Sequence, residues 1–123
     1  MDGRLDAFAG ENIGWRLETL VYLELLRRNR PLGHDIYYYK SAAGYEADFV
    51  VCKNNIVQEI YQVSYDISKD KTRKRELRGL LAASHETGCE HLYLITDFHQ
   101  EEVSIDNKRI QIIPAFDWML NPA

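Results

Sequence analysis

Two carboxylates in this chain stand where a carboxylate is costly. Glu18 falls in "ENIGWRLETLVYLELLRRN", residues 11–29, with Gly14, Val21 and Tyr22 as its helical neighbours and no basic partner among them. Asp48 falls in "GYEADFVV", residues 44–51, and is followed directly by Phe49, Val50 and Val51. A carboxylate on apolar surface raises the free energy unless it is paired, hydrogen-bonded or bound to a cation. On a strand period of two, Glu46, Asp48, Val50 and Cys52 share one face, and Gln58, Ile60, Gln62 and Ser64 share a face of the next strand. With Asp48 opposite Gln62 and Ser64, and Glu18 on a helix packed over that sheet, the oxygens would converge. Such a set suits a hard divalent cation such as Mg²⁺, held by Glu18 and Asp48. The same residues have an ordinary reading, with Glu18 facing solvent and the strand acids bonded to turn amides.

A second pattern is one of charge. The stretch "KDKTRKRELR", residues 69–78, sets six basic residues against two acidic ones, whereas the whole chain carries a net charge of −4. On a helix, Lys71, Arg75 and Arg78 share a face with Lys74 beside them, and the leucines take another face. This patch suits a phosphate backbone, such as that of DNA, or an acidic partner. The plainer alternative is a solvated face with local ion pairs such as Arg75 to Glu76. The segment has no interleaved aromatic residues on which unpaired bases could stack.

These side chains need elements to position them. Residues 11–29 have helical spacing with apolar residues at 13, 17, 20, 21, 25 and 26, basic Arg27 and Arg28 in the last turn, and Pro31 and Gly33 beyond. Glu24 has Arg27 and Arg28 at i+3 and i+4 and reads as an ion-paired residue. "DIYYYK", "YEADFVVC" and "IVQEIYQVSY" read as three successive strands joined by the turns "SAAG" and "KNN". Residues 71–87 return to helical spacing and end near Gly88, and "HLYLIT" is apolar on both faces, as an interior strand is. A hairpin, "EEVSID" and "RIQIIP" about an Asn107–Lys108 turn, and a short helix at "FDWML" complete the order.

Length bounds this arrangement to a single domain over residues 11–123, preceded by a lead-in over residues 1–10. The apolar run "LVYLELLRR" is too short to cross a bilayer, and Cys52 and Cys89 form no CxxC pair, which fits a reduced, cytoplasmic setting without a membrane. His85, Cys89 and His91 lack a second ligand pair at zinc spacing. The overall negative charge excludes a protein that coats nucleic acid over its whole surface.

The α-β-β-β-α-β order, the helix glutamate in "ETLVYLELLRR", the aspartate in "GYEADFVV", and "YQVSYD" followed by "KTRKRELRGLL" together resemble a known domain. It is the C-terminal domain of unknown function carried by a family of prokaryotic AAA-type ATPases, itself similar to the PD-(D/E)xK, restriction-endonuclease-like nuclease fold. The resemblance covers almost the whole chain and implies an α/β fold with a mixed central sheet plus a C-terminal hairpin and short helix. It implies that Glu18 and Asp48 match the metal-binding acids, and that the E-x-K tripeptide reads Gln62-Val63-Ser64. In such nucleases the carboxylates hold Mg²⁺, which polarises the phosphate and activates water, and the lysine orients and deprotonates that water. Gln62 offers only a neutral carbonyl, Ser64 cannot replace a lysine charge, and Lys69 and Lys71 are the nearest substitutes in sequence. The expectation is a degenerate nuclease-like module that contacts DNA or regulates an AAA-type ATPase. A non-enzymatic interaction or dimerisation module and an active Mg²⁺-dependent endonuclease are the alternatives. No GxxxxGK[ST] loop occurs, so the chain has no ATP site of that kind.

Overall fold

The computed structural model describes the backbone of residues 3–121 and the side chains of residues 16–121. Helix α1, Gly3–Asn29, begins well ahead of residue 11 and takes up most of the expected lead-in. It ends where the sequence places its stop: a 3-10 turn, Arg30–Leu32, contains Pro31, and Gly33 adopts φ 71°, a left-handed conformation that glycine reaches without steric cost. Three strands follow as an antiparallel meander, β1 (Asp35–Lys40), β2 (Glu46–Lys53) and β3 (Ile56–Val63). Asn54 and Asn55 turn β2 into β3 with both φ positive, the conformation that two-residue hairpins favour.

Helix α2 (Asp70–Thr87) then crosses over the sheet so that β4 (Leu92–Thr96) runs parallel to β3. Gly88, at φ 78°, caps it by donating its N–H to Ser84 O. Strands β5 (Glu101–Ile105) and β6 (Lys108–Pro114) form the C-terminal hairpin, with β6 parallel to β4, and α3 (Ala115–Leu120) closes the order. The turn of that hairpin is Asp106–Asn107, both at positive φ, and not Asn107–Lys108, because Lys108 already pairs with Ile105. The six strands lie in the order β1-β2-β3-β4-β6-β5, a mixed sheet in an α/β fold with the anticipated hairpin and short helix.

The sheet separates two apolar clusters. Ile60, Leu92, Leu94, Ile110 and Ile112 pack with Leu77, Leu80 and Ala83 of α2 on one side. Their strand neighbours Tyr61, Ile95 and Val51 pack with Val21 and Leu25 of α1 and Trp118 of α3 on the other. Strand β4 is interior, as its apolar residues on both faces indicate. Leu20, expected on the buried face of α1, is 51% exposed, because the side of α1 that meets the sheet carries Val21, Leu25 and Asn29. Among the described residues no helix is long and apolar enough to cross a membrane.

Candidate nucleic-acid interface and acid pocket

Backbone pairing of β2 with β3 runs from Lys53 and Ile56, through a register shift between Val51 and Cys52, to Phe49 and Tyr61 and ends there. Beyond it, side chains take over the ladder. Asp48 N–H donates to Gln62 Oε1 at 2.8 Å, and Gln62 Nε2 donates to Glu46 O at 2.8 Å. Val63 N–H in turn donates to Asp48 Oδ2 at 2.8 Å. An amide side chain standing between two strands holds them further apart than direct pairing does, so β2 and β3 part here. The gap is a cavity of about 190 Å³ lined by Tyr45, Glu46, Asp48, Gln62, Arg75, Glu76 and Gly79, with Gly44 and Val63 at its edges.

Helix α2 reaches this cavity through a glycine. A Cβ on Gly79 would lie 2.3 Å from Glu46 O and 2.7 Å from Gln62 Nε2, so only glycine lets the helix backbone come this close to β2. Glu76 and Arg75 sit one turn earlier on α2 and are thereby set at the mouth of the cavity, where Arg75 contacts Glu76 at 3.4 Å. The electrostatics follow from burial. Asp48 is pushed up to about 7, first by loss of solvent and then by the charges of Glu18, Glu76 and Glu46, against the Val63 hydrogen bond that lowers it. Burial also raises Glu76, Arg75 pulls it down, and Glu18 and Glu46 add to the rise.

The expected site residues thus meet unequally. Asp48 and Gln62 are neighbours, as anticipated. Glu18 is exposed and does not line the cavity, although its charge is felt by Asp48 and Glu76. Ser64 lies past the end of β3, with its N–H on Ile95 O, and also lies outside the cavity lining. The cation that lines the cavity is Arg75, where the sequence pointed to Lys69 or Lys71. Spacing overlooked Glu76 and Gly79. The available signal was the lone glycine inside a helical pattern, which marks a close backbone approach and so nominates the residues three and four positions before it.

These residues do not fit a Mg²⁺ centre of the kind the acids suggest. Gln62 spends both ends of its amide on backbone groups, one Asp48 oxygen accepts from Val63, and among the described residues no three His, Cys, Asp or Glu side chains are grouped to hold a metal ion. The outer surface of α2 has the opposite character. Lys71, Lys74, Arg75 and Arg78 are all exposed along it, with Asp70 as a 3.9 Å partner of Lys74. One helix therefore presents cations outward and sets a half-buried acid, Glu76, in the lining of a carboxylate pocket.

The molecule is thus an α/β domain whose six-stranded mixed sheet carries an acid pocket under a basic helix. The chain belongs to the family described as Domain of unknown function DUF4143, which matches residues 14–118. It is 32% identical over 116 residues to an uncharacterized protein of Methanocaldococcus jannaschii, MJ1544. That match covers 89% of this chain and 25% of the archaeal protein, so the chain spans about a quarter of that relative's length. No solved structure matches the chain.

Proposed function

We propose that this chain is a nucleic-acid-contacting module of PD-(D/E)xK-like ancestry whose acid pocket has lost the chemistry of a nuclease. The observation that carries the reading is the exposure of Lys71, Lys74, Arg75 and Arg78 along α2, with Arg75 also lining the cavity that holds Asp48 and Gln62. Cations grouped on one face of a protein that is negative overall attract phosphate locally without coating the rest of the molecule. The pocket itself does structural work: Gln62 ties Glu46 to Asp48, and Asp48 ties back to Val63. In a longer chain of the family, an AAA-type ATPase unit would be the natural neighbour, with this module presenting DNA to it or sensing DNA for it.

The test is incubation of supercoiled plasmid with purified protein and Mg²⁺ or Mn²⁺, beside Asp48→Ala. The reading predicts retarded migration of the plasmid and no nicking above that of the variant. Metal-dependent nicking that Asp48→Ala abolishes would overturn it and make the chain an active endonuclease.

A second reading has its own observation. Leu20 and Leu23 are 51% and 54% exposed on the outer side of α1, and the matched relative is about four times as long as the match. An interaction module that packs α1 against another domain, or against a second copy, would bury them. That reading predicts a dimer or a complex with an ATPase domain, and no salt-sensitive DNA binding.

A further inference from the structure

The basic face of α2 continues into a groove between that helix and the turn of the β5–β6 hairpin, with a volume of about 580 Å³. Its floor is apolar, made by Leu77 and Leu81 of α2 and Ile105 of β5. Its rims carry Lys74 and Arg78 on one side and Lys108 on the other, with His85 further along. Lys108 Nζ is held by a 2.7 Å hydrogen bond to the buried Ser84 Oγ, which leaves the other donors of its ammonium group to serve a ligand. At one end stands Tyr45, which lines both this groove and the acid pocket. It is placed there by the tight turn in which Tyr45 N–H donates to Ser41 Oγ at 3.0 Å.

We infer that this groove binds an unpaired strand of DNA, with its phosphates on Lys74, Arg78 and Lys108 and a base against Tyr45 and the leucine floor. The inference rests on the nucleic-acid reading above and names the form of nucleic acid and its track. Cations on both rims select a polyanion. The apolar floor and the aromatic wall select one whose bases are free to leave the backbone, because a duplex keeps its base faces stacked inside. The basic run itself contains no aromatic residue, yet the fold brings Tyr45 to it from the β1–β2 turn. The acid in the groove lining is Asp106, on the hairpin turn at φ 52°. Asparagine accepts that conformation as readily, so Asp106→Asn removes a charge without disturbing the turn.

The experiment is fluorescence anisotropy of one labelled oligonucleotide, single-stranded and annealed to its complement, with wild type, Tyr45→Ala, Asp106→Asn and the Lys71→Glu/Lys74→Glu double variant. Wild type should prefer the single strand. Tyr45→Ala should lose about tenfold in affinity for the single strand and little for the duplex. Asp106→Asn should bind roughly twofold tighter through the removed repulsion. If Tyr45→Ala and Asp106→Asn both bind as wild type while the double variant loses binding, the groove inference falls and the nucleic-acid reading stands. If wild type binds neither form, both fall. A thermal melt of Tyr45→Ala matching wild type removes misfolding as the cause, and the Asp106→Asn gain cannot arise from unfolding.

Discussion

Consecutive residues of β3, Tyr61 and Gln62, face opposite sides of the sheet and meet opposite chemistry. Toward α1 and α3, Tyr61 stacks on Tyr93 at 4.8 Å and meets the Trp118 ring edge-on at 5.6 Å. Arg28 lies 4.3 Å over that indole, and its guanidinium also donates to the Trp118 and Asn121 carbonyls. Toward α2, Gln62 is buried among carboxylates, and its amide replaces backbone pairing. The aromatic side gains apolar burial and ring contacts, and Arg28 there meets an aromatic face, carbonyl oxygens and the Glu24 carboxylate at 2.6 Å. The α2 side holds an aspartate raised to about 7 beside Glu46 and Glu76, an arrangement that lowers stability in its charged form. Groups kept at such a cost cluster at functional sites more often than elsewhere.

The largest losses are expected on the aromatic side. Trp118→Ala removes the ring that Tyr61 and Arg28 share and should cost about 4 kcal/mol in a urea unfolding titration. A loss of under about 1 kcal/mol would mean that α3 does not seal this face. On the α2 side, Gln62→Glu keeps the shape but removes the donor to Glu46 O and adds a buried negative charge beside Asp48. It should cost about 3 kcal/mol at neutral pH, and a neutral effect by the same titration would refute the bridging role. Gly79→Ala is smaller, since the gain in helix propensity offsets part of the clash with Glu46 O. A net loss of about 2 kcal/mol is expected, and a more stable variant would show that α2 does not approach β2 so closely.

The smallest expected effect is the most specific. The folded pKa of Asp48, about 7, exceeds the ordinary value of 3.8, so the folded chain holds a proton that the unfolded chain has released between those values. Stability contributed by this group therefore falls as pH rises from about 4 to about 7, by at most about 1.4 kcal/mol per unit. Asp48→Asn can still accept from Val63 and removes the charge. It should flatten that slope and gain on the order of 1–2 kcal/mol at pH 8. Urea midpoints at pH 5 and pH 8 check both, and a variant with the wild-type slope would assign the effect to another group.

Much of this architecture was written in local patterns. The two long helices, the three-strand meander, interior β4 and the final hairpin follow from periods of 3.6 and 2 punctuated by Gly, Pro and Asn. Asp48 and Gln62 could be placed on facing strands from the hairpin pattern, but they meet through a one-residue register shift between Val51 and Cys52 that local spacing does not show. What the chain hides is whatever tertiary packing decides. Leu20 matches the apolar spacing of its helix yet faces outward, and Trp118, buried against α1 and β3, lies in a segment too short to show a period. Glu76 looks like the partner of its sequence neighbour Arg75, and only the close approach at Gly79 turns it toward Asp48. Tyr45 reaches the basic helix through the crossover, a contact without any trace in local spacing.

Salt dependence of DNA affinity decides whether the open face of α2 holds nucleic acid by its cations, as proposed. The logarithm of the binding constant for single-stranded DNA should fall linearly with the logarithm of salt concentration, with a slope near −3 for about four phosphate contacts. Reversing charge at Lys74 and Arg78 should make the slope shallower by more than one. Affinity that is absent, or that is independent of salt and unmoved by the reversal, would contradict it.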